Sequence, residues 1–471
     1  MKRRSFFKNT SLAAIGASLS PSILANSGCQ STILEEDLSK TAKNIIFLVS
    51  DGMSSGTLNM ADILAQRKLG RPSCWVDLYR QNKVKRALMD TASASSIVTD
   101  SAAASSSWGG GVRVPNGRLN MGANDEKYTP ILQKFKNAGK AVGCVTSVPI
   151  THATPAGFCV NNKSRGNQPE IAKQYLDLRF DVMLGGGLEY FDASLRKDGE
   201  DVFNQFEVAN YQVAKNKSDL LTIKNIESPI IGVFHESAIP YSLDHSNDDE
   251  AKKNVPTLQE MTTFALEKMA MKEEGFVLQI EGGKVDWAAH GNDLGGLLYD
   301  QLAFDEAVKI AFDFAEKRDD TLVIITTDHG NANPALLYGK NADENFDKLH
   351  DFKHSNDWVL SDLDQTITAS QLKEKINYAQ GIALKNDELT TLIDHLKGLK
   401  ETDFSNSYKL PFEKLAQIQK AHTNVGWAGM QHSADFVELA MHGPGSEMLP
   451  SFVKNTDLHD FMLVAAGVET K

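Results

Sequence analysis

Short apolar runs recur along the chain, and each of them ends at polar or turn-forming residues. The first run covers residues 44–49 and stops at Ser50-Asp51-Gly52. Further runs cover residues 141–145, 275–280, 321–325 and 436–441. A continuous apolar run bounded by turn residues is typical of a strand that is buried on both faces of a sheet. The pattern therefore predicts several buried strands in one large sheet.

Helical patterns lie between these runs. The clearest covers residues 298–318, where apolar side chains fall on one stripe of a helix: Leu298, Leu302, Ala307, Ala311 and Ala315. Strands that alternate with helices predict an α/β fold, in which helices cover both faces of a mainly parallel central sheet. Residues 331–420 are more polar, with one helical segment near residues 383–399, and we interpret them as an insertion before the last strand.

The ends of the predicted strands carry the candidate chemistry. Acidic residues follow three of the runs, namely Asp51, Glu281 and Asp328. In open α/β sheets, ligands bind beyond the carboxyl ends of the strands. These acids are therefore the first indication of a functional site.

Composition narrows the possible function classes. The chain has 471 residues, which is enough for one large α/β domain with insertions or for two ordinary domains. Its formal net charge of −12 argues against broad nucleic-acid binding, because the backbone of a nucleic acid would be repelled. After the N-terminal segment, no apolar run approaches the ~20 residues that a membrane-spanning helix needs.

The first 29 residues have the three parts of an export signal. A basic head with Arg3 and Arg4 precedes a mildly apolar stretch, and small residues then permit cleavage near Ala25 or before Cys29. The paired arginines resemble a twin-arginine signal. We therefore expect an exported protein, which is periplasmic, extracellular or anchored to the outer membrane by a lipid on Cys29. The preceding Asn26-Ser27-Gly28 departs from the usual lipidation motif.

The remaining chain divides simply. Residues 30–43 are predicted to form a polar linker, and residues 44–471 are predicted to form the main domain.

The four cysteines predict no disulfide framework, because an odd number remains once Cys29 is removed or acylated. None of the cysteines has metal-ligand spacing.

Several short motifs offer metal ligands. Asp286 and His290 are four residues apart, so a helix would place both on one face, where they can share one zinc ion. Taken alone, such a pair is more often a solvated helix face. Asp328-His329 and Asp51-Gly52, taken alone, also fit a capping acid beside a surface histidine and a plain turn. Their shared position at strand ends favours the ligand interpretation.

Other motifs suit phosphate chemistry. Ser101 precedes a run of small residues that predicts a helix, and backbone N–H groups at a helix N-terminus favour an anionic phosphate. A plain N-cap remains the simpler interpretation of this local sequence. Thr154 and Arg165 follow, and an arginine can bind a phosphoryl group through two parallel N–H bonds. His432, just before the last strand, offers a further imidazole for zinc.

Seven such blocks, from Asp51-Gly52 to His432-Ser433, span nearly the whole main domain, and their order and gaps resemble those of the alkaline phosphatases. The resemblance implies hydrolysis of phosphate monoesters through a phosphoserine intermediate, at a site with two zinc ions and one magnesium ion. It implies three sets of metal ligands: Asp286, His290 and His432 for the first zinc; Asp51, Asp328, His329 and the Ser101 oxygen for the second; and Asp51, Thr154 and Glu281 for magnesium.

The resemblance also implies roles in catalysis and assembly. Ser101 would be the nucleophile, Arg165 would bind two phosphoryl oxygens, and Asp100 would orient Arg165. Small-molecule phosphomonoesters would be the substrates, and members of the family are often homodimers.

Three positions depart from the best-known bacterial pattern. His152 and Trp287 stand where that pattern has an aspartate and a lysine, and Asn331 replaces a histidine. Loss of the lysine predicts weaker binding of phosphate, and His152 would bring a nitrogen that favours zinc at the third site.

Two alternatives compete with a phosphomonoesterase. One is a diesterase or sulfatase on the same fold, and the other is an exported, non-catalytic protein that binds phosphate or metal. Thr154 with Glu281 and Arg165 favours the monoesterase over the first, because diesterases typically lack the magnesium site and sulfatases use a modified cysteine or serine in a different motif. The presence of both Ser101 and Arg165 argues against the second.

Overall fold

The computed structural model describes residues 40–223 and 227–469. The predicted export signal at residues 1–29 and most of the predicted linker at residues 30–43 therefore lie outside the described residues. Within the described part of the chain, no helix combines the length and apolar character that crossing a bilayer requires.

The described strands are numbered in chain order. They are β1 Asn44–Val49, β2 Lys85–Asp90, β3 Ala141–Pro149, β4 Val182–Gly186, β5 Gln212–Ala214, β6 Ile230–Val233, β7 Phe276–Glu281, β8 Thr321–Thr326, β9 Gly330–Asn331, β10 Ala335–Leu336, β11 Val425–Gly426, β12 His432–Ser433, β13 Val437–His442 and β14 Phe452–Lys454.

The described α-helices are numbered in the same way. They are α1 Ser55–Leu64, α2 Cys74–Arg80, α3 Ser101–Gly110, α4 Ile131–Asn137, α5 Ala153–Cys159, α6 Gln168–Leu178, α7 Val202–Val208, α8 Lys217–Thr222, α9 Ser242–Ser246, α10 Asp249–Asn254, α11 Leu258–Met269, α12 Lys284–His290, α13 Leu294–Ala315, α14 Ala342–Asp347, α15 Asn356–Ser361, α16 Ala369–Gln380, α17 Asn386–Lys397, α18 Phe412–Thr423 and α19 Asp457–Ala465.

One large sheet organises the fold. Its ten strands follow the order β14-β2-β13-β8-β1-β7-β3-β4-β6-β5, and helices surround it. Neighbouring strands run parallel, except that β13 is antiparallel to both β2 and β8. The predicted α/β fold with a mainly parallel central sheet is therefore confirmed.

The apolar runs correspond closely to the central strands. β1 has the bounds of the first run, and all six of its residues are buried. β7 begins one residue later than its run, because Gly275 turns the chain there with a φ of 78°. The helix predicted at residues 298–318 is α13, which begins earlier because the Asp293 side chain accepts the N–H of Gly296 and caps it.

Helices α3 and α5 cross in close contact behind the site. A Cβ on Gly109 would lie 1.9 Å from the Gly157 carbonyl oxygen, and a Cβ on Gly157 would lie 2.1 Å from Ser105 Oγ. Ser105 Oγ also lies within hydrogen-bond distance of the carbonyl oxygens of Ser101 and Ala153, at 2.7 and 3.0 Å. The small residues therefore let the two helices pack closely, and Ser105 of α3 links that helix to the first residue of α5.

Residues 331–420 carry β9, β10 and helices α14–α17, and they include the start of α18. The predicted helical segment near residues 383–399 corresponds to α17. Apolar residues of these helices, such as Leu372, Leu392 and Leu415, are buried in the same apolar cluster as Ile46 of β1. The interpretation of the segment as an insertion stays a prediction.

Candidate active site

The register of three neighbouring strands aligns the acids of the site. Val49, the last residue of β1, pairs with Glu281 of β7 on one side and with Thr326 of β8 on the other. Asp51 and Asp328 each follow their strand by two residues. All three acids therefore lie at the carboxyl edge of the sheet, as predicted for a ligand site.

The first cluster comprises Asp286, His290 and His432. Asp286 and His290 lie on α12, where His290 Nε2 is 3.4 Å from Asp286 Oδ2. His432 Nε2 is 3.5 Å from Asp286 Oδ1 and 3.0 Å from His290 Nε2. Asn331 Nδ2 donates to Asp286 Oδ1 at 2.7 Å and holds this carboxylate in place.

Hydrogen bonds fix which ring nitrogens face the first cluster. His290 Nδ1 donates to the Met430 carbonyl at 2.8 Å, and His432 Nδ1 donates to the Thr99 carbonyl at 2.9 Å. The two Nε2 atoms therefore face each other at 3.0 Å across the same space. Such an arrangement is unfavourable without a cation between them and is typical of metal-binding histidines.

The second cluster comprises Asp51, Asp328 and His329, all fully or almost fully buried. His329 Nε2 is 3.2 Å from Asp328 Oδ2 and 3.6 Å from Asp51 Oδ1. Asp328 Oδ1 is held by the N–H groups of Gly52 and His329 itself. Ser101 Oγ, on the first residue of α3, lies 3.3 Å from His329 Nε2 and faces this cluster.

The third cluster comprises Asp51, Glu281 and His152. Thr154 Oγ1 donates to Asp51 Oδ2 at 3.2 Å, so the threonine predicted as a magnesium ligand also lies here. Thr146 of β3 donates to Glu281 Oε2. Asp51 belongs to both the second and the third clusters and joins them.

Arg165 approaches the site from the side of α3. Its guanidinium donates to Asp100 Oδ2 at 3.1 Å, and its other terminal nitrogen lies 3.1 Å from His152 Nε2. The His152 ring in turn meets the Trp287 ring edge-on, with 6.0 Å between centroids. These side chains and Ser101 line one cavity of about 920 Å³.

The carboxylates of the site are buried, and without water to screen their charges they repel one another. Burial and the neighbouring carboxylates raise the pKa of Asp51 well above its ordinary value. Burial likewise raises the pKa of Glu281 to about 7 and that of Asp328 to about 6. Burial also opposes ionisation of Asp286, but the three neighbouring histidines bring its pKa down to about 2. A bound cation would relieve this repulsion.

The buried histidines are poised as neutral ligands. Burial, aided by His432, lowers the pKa of His329 well below its ordinary value. Burial, aided by the Arg165 guanidinium, lowers the pKa of His152 to about 3. Neutral imidazole is the form that binds zinc.

The residues present fit metal ions. Asp51 Oδ1, Glu281 Oε1 and Asp328 Oδ2 are buried and accept no hydrogen bond from the described residues. Buried polar atoms are almost always satisfied in native proteins, so these three oxygens need a further partner. Histidine with carboxylate suits zinc in the first two clusters, and the oxygen-rich third cluster suits magnesium.

Every site residue predicted from the sequence lies in or beside these clusters. Thr146 was missed, although it directly follows the predicted strand at residues 141–145 and so lies in the same layer as the acids. Asn331 was noted only as a departure, and its hydrogen bond to Asp286 has no local sequence signal.

Comparisons with known proteins agree with this geometry. The family model described as Alkaline phosphatase matches residues 42–468. Alkaline phosphatase 3 of Bacillus subtilis is 29% identical, with 88% of this chain and 87% of that protein covered. Alkaline phosphatase of Escherichia coli is 31% identical, with 65% of this chain and 74% of that protein covered.

A solved structure gives the same result. The crystal structure of Thermus thermophilus alkaline phosphatase superposes with a TM-score of 0.86 at 30% identity, and 96% of this chain and 97% of that chain are covered. The chain therefore belongs to the alkaline phosphatase family and is a phosphoric monoester hydrolase.

Proposed function

We propose that this enzyme hydrolyses phosphate monoesters with Ser101 as nucleophile, through a phosphoserine intermediate. The observation that carries the proposal is the position of Ser101 Oγ, which lies at the N-terminal end of α3 and 3.3 Å from His329 Nε2. The positive end of the α3 helix dipole and a cluster of candidate metal ligands meet at this oxygen. Both favour the negative charge that an attacking alkoxide and a phosphoryl group carry.

Three ions are proposed for the site. Asp286, His290 and His432 would hold one zinc ion, and Asp51, Asp328 and His329 would hold a second. Zinc at Asp51, Asp328 and His329 would make the Ser101 hydroxyl easier to ionise, and zinc at Asp286, His290 and His432 would stabilise charge on the departing oxygen.

The third ion is proposed to be magnesium at Asp51, Thr154 and Glu281. His152 lies within the same cluster, and its nitrogen makes zinc a competitor for magnesium there.

Arg165 is proposed to bind two non-bridging oxygens of the phosphoryl group. Asp100 Oδ2 already holds one terminal nitrogen of its guanidinium, which limits the orientations that the guanidinium can take. Oriented in this way by Asp100, Arg165 offsets charge on the transferred group at low entropic cost. The Ser101 oxygen forms a bond to phosphorus as the ester oxygen leaves. Water later breaks the new bond and releases phosphate.

Export is proposed from the sequence of residues 1–29. The protein would use a twin-arginine signal and reach the periplasm or the outside of the cell, either released by cleavage or anchored by a lipid on Cys29. A homodimer, which the family resemblance implies, is a further proposal. Neither affects the assignment of the site.

The test of the proposed chemistry is the Ser101→Ala variant. Turnover of a chromogenic phosphomonoester should fall by several orders of magnitude, whereas zinc content and thermal unfolding should stay close to those of the unchanged protein. Ser370→Ala, at an exposed serine near the start of α16, is the matched control and should keep full activity. Retention of activity in Ser101→Ala would remove this serine from the mechanism.

A further inference from the structure

The cavity at the site is much larger than a phosphate group. Its volume of about 920 Å³ falls within the range of pockets that enclose whole small molecules. Ser101, Arg165 and His152 line one end, where the phosphoryl group would bind. The rest of the cavity is therefore available to the alcohol part of a substrate.

The segment that leads into α18, together with the first residue of that helix, also lines this cavity. Tyr408, Leu410 and Phe412 line the cavity there. A Cβ on Gly291 would lie 3.5 Å from Phe412 Cδ1, so the Phe412 ring packs against the turn that directly follows His290. In the proposed reaction, zinc held by Asp286, His290 and His432 would stabilise the departing oxygen, so the Phe412 ring lies at the part of the cavity where the alcohol would leave.

Trp287 lines the same cavity and lies next to His152. The Lys284 ammonium lies 5.2 Å from the Trp287 ring centroid and 3.4 Å from the Tyr241 ring centroid. The Lys284 contact with Trp287 and the edge-on contact with His152 restrict the orientation of the Trp287 ring. We call Trp287, Tyr408, Leu410 and Phe412 together the outer wall.

The side chains of the outer wall differ in solvent exposure, with some buried and one almost fully exposed. Leu410 and Phe412 are 7% and 6% exposed, whereas Tyr408 is 88% exposed. A tyrosine that is so exposed beside a cavity has free apolar surface to bury against a ligand.

Charges around the outer wall disfavour an anionic alcohol. Asp357, Glu413 and Asp293 line this part of the cavity, and burial raises the pKa of Asp293 to about 7. Lys414 is the one lysine or arginine among the described lining residues apart from Arg165, and the Lys284 ammonium lies beside the Trp287 ring. Positive charge therefore does not exceed negative charge among these residues, and a second phosphate group gains no net attraction from them.

We propose that the outer wall is a subsite for the alcohol part of the substrate, and that it selects uncharged alcohols carrying an aromatic or extended apolar group. The proposal rests on the proposed function, because it requires the phosphoryl group to bind at Ser101 and Arg165. Rings of Trp287, Phe412 and Tyr408 bury the apolar group, and the acids beside them disfavour polyphosphorylated esters.

The experiment compares 2-phenylethyl phosphate with ethyl phosphate. Their alcohols have similar acidity, so the chemical step is matched and a difference in kcat/KM reports binding of the phenyl ring. Burial of roughly 60 Å² of ring surface predicts a preference of about tenfold for the phenylethyl ester. Equal kcat/KM values would overturn the subsite proposal while leaving the proposed function intact, whereas no hydrolysis of either ester would refute the proposed function itself.

Variants assign the preference to the outer wall. Tyr408→Ala removes an exposed ring without disturbing the core, and Phe412→Leu keeps apolar packing against Gly291 but removes the ring. Each should reduce the phenylethyl preference by about threefold, with the inhibition constant of inorganic phosphate as the control for an intact phosphate end. Tyr338→Ala, at a fully exposed tyrosine outside the cavity, should keep the full preference. A preference that survives both wall variants would place the ring elsewhere and overturn the assignment.

Discussion

Asp100→Asn should weaken the binding of inorganic phosphate by about tenfold and should lower kcat/KM by a similar factor. Asp100 Oδ1 accepts the N–H of Ala103 at 3.0 Å and caps α3. Asp100 Oδ2 accepts the N–H of Gly117 at 3.0 Å and an N–H of Arg165 at 3.1 Å. Asparagine caps helices as well as aspartate does, but its amide nitrogen would face two donors. The substitution therefore leaves the helix start intact and releases Arg165.

The magnitude follows from this single contact. A hydrogen bond to a charged group contributes about 1.5–3 kcal/mol. The side chains of Arg165 and Asp100 are 28% and 19% exposed, so solvent screens the pair and the lower end of that range applies. A change of about 1.4 kcal/mol is tenfold in a binding constant.

The assay is competitive inhibition by phosphate of the hydrolysis of a chromogenic phosphomonoester at fixed pH, with thermal unfolding as the test of folding. Asp125→Asn is the matched control, because Asp125 also pairs with an arginine, Arg118 at 2.9 Å, but lies outside the cavity. The reasoning is refuted by an unchanged inhibition constant in Asp100→Asn, or by an equal change in the control.

Three further predictions concern metals, product release and export. Chelation should abolish activity and lower the unfolding temperature, and zinc with magnesium should restore both; full activity in protein shown by elemental analysis to be free of metal would contradict the proposed ions. The double change His152→Asp, Trp287→Lys should lower the inhibition constant for phosphate and reduce kcat, because a lysine adds a charge that favours the dianionic product. It should also increase the dependence of activity on added magnesium. An inhibition constant that does not fall would show that these side chains do not act through product binding. Replacement of Arg3 and Arg4 by lysine should leave the precursor in the cytoplasm in a fractionation experiment, and fatty-acid labelling tests Cys29 separately; unchanged secretion would exclude the twin-arginine route.

The central strands could be predicted because their chemistry is local. A strand buried on both faces must be apolar throughout, and β1, β7 and β8 follow their apolar runs to within about a residue. The acids that close these runs could be placed together because parallel strands end at one edge. This argument was sufficient for Asp51, Glu281 and Asp328.

His432 shows where such reasoning stops. It precedes the last strand of the sequence pattern, and in a parallel strand that position would lie at the opposite edge of the sheet. β13 is antiparallel to β8, so its start lies at the carboxyl edge, and the short pairing of His432 with Asn331 fixes the histidine there. Apolar content does not encode strand direction, so only the family resemblance could place this residue.

Apart from Trp287, the residues of the outer wall were equally hidden from the sequence. Tyr408 and Phe412 lie in a segment without a clear apolar period, far from the motifs along the chain. Their position beside His290 depends on how α18 packs against the turn at Gly291. Long-range packing of this kind leaves no local signal in the residues that take part.

The central claim is that Ser101 carries the phosphoryl group during turnover. The most direct measurement is acid quenching of the enzyme after incubation with labelled phosphate at low pH, followed by digestion and mapping of the labelled peptide. The account predicts one labelled site, at Ser101, and no label in Ser101→Ala. Label at another residue, or in the variant, would contradict it.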